Sequence, residues 1–444
     1  MAPVSEDEAA AKLAHLEALF ADAFGYGPAR AAVSLDADGS VAARGCGASA
    51  EPARFVLASA PGRLEVAGNH VDHQGGRVIS AAIDERTWGL AAPNGLGRIR
   101  VVMEGFGSDE IDLTDADWAA PHKVETLTSG ALVRGMAAVF ARDGGALAGF
   151  DVATCSDVPP GCGLSSSAAF EVMIGACLEA LFGDGPEQRE GAGAVPLDPV
   201  ALALAAVETE QRYFGKPCGA QDQLASACGG VVTIDFAPDE PVVESVALDA
   251  EAAGYALVLV DSRQDHSLHN DEFAAIPADM RMVANLLGVS RLGDVTVQVL
   301  LDSLAEVRAA LGDRRAMRAL HYYDEVERVQ AQRAALASGD FAAFLRLVRL
   351  SGASSAQFLQ NVSLREPGSD EQQPAMLIQS LCAHLLGEAG AWRIHGGGFG
   401  GAVLAFVPCE RVDEFVAAMD GFLGYGACRR VTVGGPGARA RRLS

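Results

Sequence analysis

The chain has 444 residues, half of them hydrophobic and 21% charged, enough to bury a large core divided over two or three domains. Its formal net charge of −24 argues against a nucleic-acid binder, because phosphate backbones are held by clustered lysine and arginine. An anionic small molecule would have to be met by local positive ends: helix N-termini, backbone amides or a metal ion.

The nine cysteines are scattered and odd in number, with no C-x-x-C pair and no Cys/His cluster of zinc-site spacing. Neither a disulfide framework nor structural zinc is expected. The N-terminal residues lack the basic start and apolar stretch of a secretion signal, and no apolar run reaches the roughly 18 residues a membrane helix needs. A cytoplasmic protein without membrane or nucleic-acid partners is the expectation.

In chain order, Leu13, Leu16, Leu19, Phe20 and Phe24 recur at helical spacing and predict a helix over the first 25 residues. From Phe55 to about Met103 short β-rich runs, 55–58, 78–83 and 99–103, alternate with Gly, Asn and Pro turns. Residues 60–76 between the first two runs read as a turn, and gather Arg63, Asn69, His70, Asp72 and His73. That density of hydrogen-bonding groups suits sugar hydroxyls. Next come Pro159, Pro160, Gly161, Cys162, Gly163, Leu164, Ser165, Ser166 and Ser167, opening a long helical pattern. Glycines let the backbone approach a ligand, and a helix starting on serines offers free N–H groups, hydroxyls and a positive dipole end together. This is a phosphate cradle, and no Walker A loop, since no Gly-Lys-Ser/Thr follows.

Residues 183–195, rich in Gly, Glu and Pro, read as a surface loop. A second helix over 199–214 carries Glu210, and Asp222 follows twelve positions later, after Pro217, Cys218 and Gly219. One carboxylate suits Mg²⁺ and the other a proton acceptor. Alternating runs 231–236 and 255–261 frame a Pro/Asp/Glu-rich piece at 237–242, which sets the expected boundary between an N-terminal domain, 1–240, and a C-terminal domain, 241–444. Beyond it, helices are expected near 271–287, 300–311 and 340–350, then a strand at 402–407, a helix from about Val412 and a strand at 429–433. Mixed helices and strands without βαβ alternation predict an α+β fold. The run His395 to Gly401 formally contains G-x-G-x-x-G, but it leads into a strand where a dinucleotide fingerprint opens a helix. A loop closing over phosphate or substrate is the better reading.

These stretches, in this order, resemble the motifs of the galactose, homoserine, mevalonate and phosphomevalonate (GHMP) kinases, and within them the galactokinases. Residues 60–76 are similar to G-R-x-N-x-I-G-E-H-x-D-Y, 159–168 to P-x-G-x-G-L-S-S-S-A, 217–223 to P-C-G-x-x-D-Q and 396–401 to G-x-G-F-G-G. The resemblance implies a two-domain GHMP-kinase fold: an N-terminal domain like ribosomal protein S5 domain 2, a C-terminal ferredoxin-like domain, and a site in the cleft between them. It implies transfer of a phosphoryl group from ATP, with Mg²⁺, to the anomeric hydroxyl of galactose. Asp222 would be the base and Arg63 its partner; Gly161, Gly163, Leu164, Ser165, Ser166, Ser167 and Gly398 would lie at the phosphates. Ser167 and Glu210 would hold Mg²⁺, and Asn69, His70, Asp72, Gly219 and Phe273 would meet the sugar.

The departures fall on the sugar side. Asn69 stands for the family's Glu, His73 for its Tyr, and Phe273 for a further sugar-contacting Tyr. A neutral Asn69 facing the sugar would spare a C6 carboxylate repulsion, so galacturonate is the alternative substrate. A catalytically silent ATP- and sugar-binding regulator is the alternative role.

Overall fold

A computed structural model describes residues 6–28, 54–159, 161, 163–183, 193–216, 218–264, 270–364 and 372–443. Most of the expected surface loop at 183–195 lies outside them, as do Pro160, Cys162, Pro217 and residues 365–371.

The first half begins with helix α1 (Glu6–Phe24) and builds a sheet from β1 (Val56–Ala67), β2 (Arg77–Pro93), β3 (Arg98–Met103), β4 (Gly107–Asp112), β5 (Phe150–Ser156), β6 (Gly193–Ala194), β7 (Val231–Asp235) and β8 (Val242–Ser245). Its order is β4-β3-β5-β2-β1, and the far end of the long β2 turns to pair with β7, which pairs with β8. Helices α2 (Ser129–Arg142), α3 (Ser166–Phe182), α4 (Pro199–Thr209) and α5 (Gln221–Cys228) cover one face. Helix α1 covers the other through Leu16 and Phe20. Period-two alternation explains how β2 serves both: Trp88, Leu90 and Ala92 face α1, while Gly89 and Ala91 face α3.

The second half opens on one strand, runs through a series of helices and then completes its sheet. Helices α6 (Asn270–Leu286), α7 (Val297–Asp302), α8 (Leu304–Leu311), α9 (Asp313–Ser338), α10 (Phe341–Ser354), α11 (Pro374–Leu386) and α12 (Val412–Leu423) surround β9 (Tyr255–Asp261), β10 (Ala391–Ile394), β11 (Ala402–Pro408) and β12 (Cys428–Val431). These four strands pair in the order β10-β11-β9-β12. The halves share a core, since Leu64, Val66, Ile79 and Ile83 of the first sheet cluster with Leu257, Leu259, Phe344, Leu404 and Phe406. The strand β13 (Arg439–Arg442) then returns to the first sheet and pairs with β1. Among the described residues no helix is long and apolar enough to cross a membrane.

The mixed α+β character matches expectation, and the differences have physical reasons. Residues 60–67 are not a turn but the last two-thirds of β1, carried past Pro61 and Gly62 by a register shift against β2. The helix expected over 300–311 is interrupted at Ser303, and that over 199–214 ends in a π-helical turn, Glu210–Phe214. The 26-residue α9 had no apolar signal because its buried stripe mixes Ala316, Ala319, Tyr322 and Val329 with Arg318, His321, Glu325 and Gln332.

Gly62 marks the closest approach of β1 to the phosphate loop. A Cβ there would lie 2.8 Å from the Leu164 carbonyl oxygen and 2.9 Å from Ile83 Cδ1. Gly62→Ala is expected to destabilise the fold by about 1–3 kcal/mol; chemical denaturation measures this, and an unchanged midpoint would contradict the packing.

Candidate active site

The site is assembled from the register shift in β1, the loop before α3, and the start of α5. Arg63, 6% exposed, points inward from β1. Its Nε donates to Asp222 Oδ1 at 2.7 Å, its Nη1 donates to the Gly163 carbonyl, and its backbone N–H reaches the Leu164 carbonyl at 3.1 Å. Ser165 holds a left-handed backbone with φ of 57°, and its hydroxyl donates to the other oxygen of Asp222 in place of capping α3. Both oxygens of Asp222 are thereby engaged. Burial alone would raise the Asp222 carboxyl; the charge and hydrogen bond of Arg63, the Ser165 hydroxyl and the charge of Lys216 outweigh it and hold the group below its ordinary value.

Ser166 and Ser167 form the first turn of α3, whose leading N–H groups have no intrahelical acceptor. Gly161 and Gly163 both have positive φ, and Leu164 is buried, so the loop presents backbone rather than the Leu164 side chain. Ser167 Oγ lies 3.2 Å from Glu210 Oε1, and Gln223 Nε2 donates to Glu210 Oε2 at 2.6 Å. Lys216 Nζ reaches Glu210 Oε1 at 3.0 Å. Glu171 lies next to this cluster, fully buried, with Oε1 unpartnered; burial, then the charge of Glu210, pushes its carboxyl well up. A hydroxyl beside a buried carboxylate, with further carboxyl oxygen nearby, is a hard oxygen donor set that fits Mg²⁺.

On the other side of Asp222, a Cβ on Gly219 would fall 1.8 Å from Asp72 Oδ2, so only glycine admits that carboxylate. His70 has φ of 57°, donates from Nε2 to the Gly397 carbonyl at 2.9 Å, and packs its ring 5.3 Å from that of Phe273. Phe273 in turn lies against Gly397. His70, Asp72, Gly219 and Phe273 are therefore brought together as one wall.

The geometry bears on two further expected positions. Asn69 is fully buried, and its amide is used up inside the protein: Nδ2 donates to Glu65 Oε1 at 2.9 Å and to the Gly396 carbonyl at 2.7 Å, while Oδ1 accepts from Asn361 at 2.7 Å and from Ser355 at 3.2 Å. An amide has two donors and two acceptor sites, so none is left for a sugar. Gly398 backs onto Asn361, whose carbonyl oxygen would lie 2.2 Å from a Cβ there; within the glycine run it is Gly396 that faces Arg63 and Gly163.

Family models match the chain twice: the GHMP kinases N-terminal domain over residues 131–230, and the galactokinase galactose-binding signature over residues 47–93. Among solved structures, a Lactococcus lactis galactokinase complexed with galactose is 21% identical, covering 96% of this chain and 99% of that one, with a TM-score of 0.75. The chain has the GHMP kinase fold and carries the galactokinase signature. More distant matches share that fold. A D-glycero-D-manno-heptose 1-phosphate kinase from Bacteriodes thetaiotaomicron is 17% identical, covering 88% of this chain and 99% of that one, with a TM-score of 0.57. An L. major mevalonate kinase in complex with R-mevalonate is also 17% identical, covering 86% and 96%, with a TM-score of 0.56.

Sequence reasoning on this GHMP kinase fold missed residues that hold the others: Lys216 and Gln223 on Glu210, Asn361 on Asn69, and Arg393, which forms a buried ion pair with Glu65. Lys216 stands one position before the Pro217 motif, and a cation beside a glycine turn in so acidic a chain was the available signal.

The two histidines of the signature are held neutral. Burial is the main cause, joined for His70 by the neighbouring His73 and for His73 by the charge of Arg281; His73 falls from 6.5 to about 3. The unfolded chain binds protons below about pH 6.5 that the folded one refuses, so this stability is complete above that pH and is lost as pH falls toward about 3. The wild-type melting temperature is expected to drop on acidification from about pH 7.5 to about pH 5.5, and to drop less in His73→Asn. Parallel pH dependences would refute the assignment.

Proposed function

We propose that the protein is an ATP-dependent galactokinase that phosphorylates the anomeric hydroxyl of galactose. The observation that carries this reading is the position of Asp222. Its carboxylate is fixed by Arg63 and Ser165 between a serine-glycine loop suited to phosphate and a wall of Asp72, Gly219 and His70 suited to hydroxyls. The galactose-binding signature over residues 47–93 supports galactose as the sugar.

The chain's residues divide the reaction. The loop at Gly161, Gly163 and Ser165–Ser167 would bind the ATP phosphates through backbone N–H groups at the start of α3. Asp72, with His70 and Phe273 beside it, would orient the sugar. Asp222, kept ionised by Arg63, would accept the hydroxyl proton as that oxygen attacks the terminal phosphorus and the bond to ADP breaks. Arg63, next to the transferring group, would offset developing charge. Mg²⁺, held by Ser167 and Glu210, would supply charge neutralisation on the phosphates. Galacturonate falls behind galactose, because the argument for it required Asn69 to face the sugar, and the Asn69 amide is spent on Glu65, Gly396, Ser355 and Asn361. The intact Arg63, Asp222 and serine loop favour turnover over a silent regulatory role.

With Mg-ATP and a panel of galactose, galacturonate, N-acetylgalactosamine and galactosamine, the expected result is ADP formation highest with galactose. No ADP above background with any of them would remove the kinase reading. Asp222→Asn is expected to lower kcat by about 10²–10⁴-fold while leaving ATP affinity nearly intact; a fully active variant would refute the base.

A further inference from the structure

The turn after α4 sets a lysine over the metal-suited carboxylate. Gly215 closes the π-helical turn in the left-handed conformation, and the N–H groups of Gly215 and Lys216 both donate to the Glu210 carbonyl, at 2.9 and 3.1 Å. The chain thus doubles back over Glu210, and the Lys216 side chain lies across that residue's own carboxylate, Nζ to Oε1 at 3.0 Å. The Glu210 side chain is 2% exposed and that of Lys216 is 33% exposed, so the ammonium covers the carboxylate and keeps an open side. The same Oε1 faces the Ser167 hydroxyl on the first turn of α3.

The charge balance gives this lysine work to do. Glu210 and Asp222 converge here, with Asp72 in the field of Asp222, in a chain of net charge −24, and a triphosphate adds several more negative charges. Arg63 spends Nε on Asp222 and Nη1 on the Gly163 carbonyl, so at most its Nη2 is left for a phosphate. Lys216 uses one of its three N–H donors on Glu210 and lies in the field of Asp222. An ammonium on a flexible stem can change partners in a way a rigid fork cannot.

We propose that Lys216 is a phosphate-binding residue of this site, which rests on the kinase reading above. Without nucleotide its ammonium neutralises Glu210. When nucleotide binds, it turns to a phosphate oxygen and leaves Glu210 and Ser167 to the divalent cation. The exchange couples the two ligands: a free divalent ion must compete with the ammonium for Glu210, whereas a metal–nucleotide complex gives the ammonium a new partner.

The test compares full-length wild type, Lys216→Met and Lys216→Arg by titration with AMPPNP and Mg²⁺, with adenosine, and with Mn²⁺ alone. Lys216→Met is expected to weaken AMPPNP binding at least about tenfold while Lys216→Arg keeps most of the affinity, the scale of losing one charged hydrogen bond. Adenosine, lacking phosphate, is expected to bind all three alike, and Mn²⁺ alone to bind Lys216→Met more tightly than wild type. Equal AMPPNP affinity of Lys216→Met and wild type would overturn the assignment, as would parallel losses for AMPPNP and adenosine, the mark of a merely structural lysine. Wild type that binds no AMPPNP even with Mg²⁺ would overturn the kinase reading itself.

Discussion

Arg63 holds together three pieces of chain that are far apart in sequence: β1, from which it comes, the loop at Gly163, and the start of α5 at Asp222. Its almost complete burial makes the guanidinium expensive to desolvate, so the arrangement is a poor way to gain stability. It is a good way to fix a carboxylate. A planar fork with donors at set angles defines where Asp222 and the loop carbonyl sit relative to each other, and the Ser165 hydroxyl completes the frame from the third side. The register shift in β1 and the missing side chain at Gly62 let the strand come close enough for this to happen.

How much of this could be read in advance depended on whether chemistry or context decides a residue. The serine-glycine loop was legible because few residue types serve a phosphate cradle; the pairing of Arg63 with Asp222 came from the motif resemblance, and the two side chains are bonded. The α+β class followed from the order of runs. Asn69 was not legible in the same way. A polar amide among turn residues gives one sequence signal whether it faces a cleft or the interior, and its partners Ser355 and Asn361 are 286 and 292 positions away. Helix α9 was hidden for a related reason: its buried side is partly polar, with Arg318 paired to Asp279 and Glu325 bonded to Ser351, pairings no periodicity reveals.

The glycine run and the signature segment are best understood as one unit. His70 and Asn69 bond to the carbonyls of Gly397 and Gly396, His395 Nε2 accepts from the Glu65 N–H, and Glu65 pairs with Arg393 on β10. Polar groups from the first sheet are thus satisfied by the second, and leaving either side unpaired would expose buried donors and acceptors to loss of their partners.

The return of β13 to β1 bears on how the protein is made. Val56 pairs with Arg442 and Ser59 with Arg439, so the strand that carries Arg63 has a neighbour from the opposite end of the sequence. During synthesis that edge of the first sheet stays open while the helices and β9–β12 emerge, and closes only once residues 439–442 have left the ribosome. A strand with unpaired backbone groups is a template for wrong partners. Assembly of the first half is therefore tied to the completion of the second, and a chain stalled in between presents an unfinished sheet to quality control.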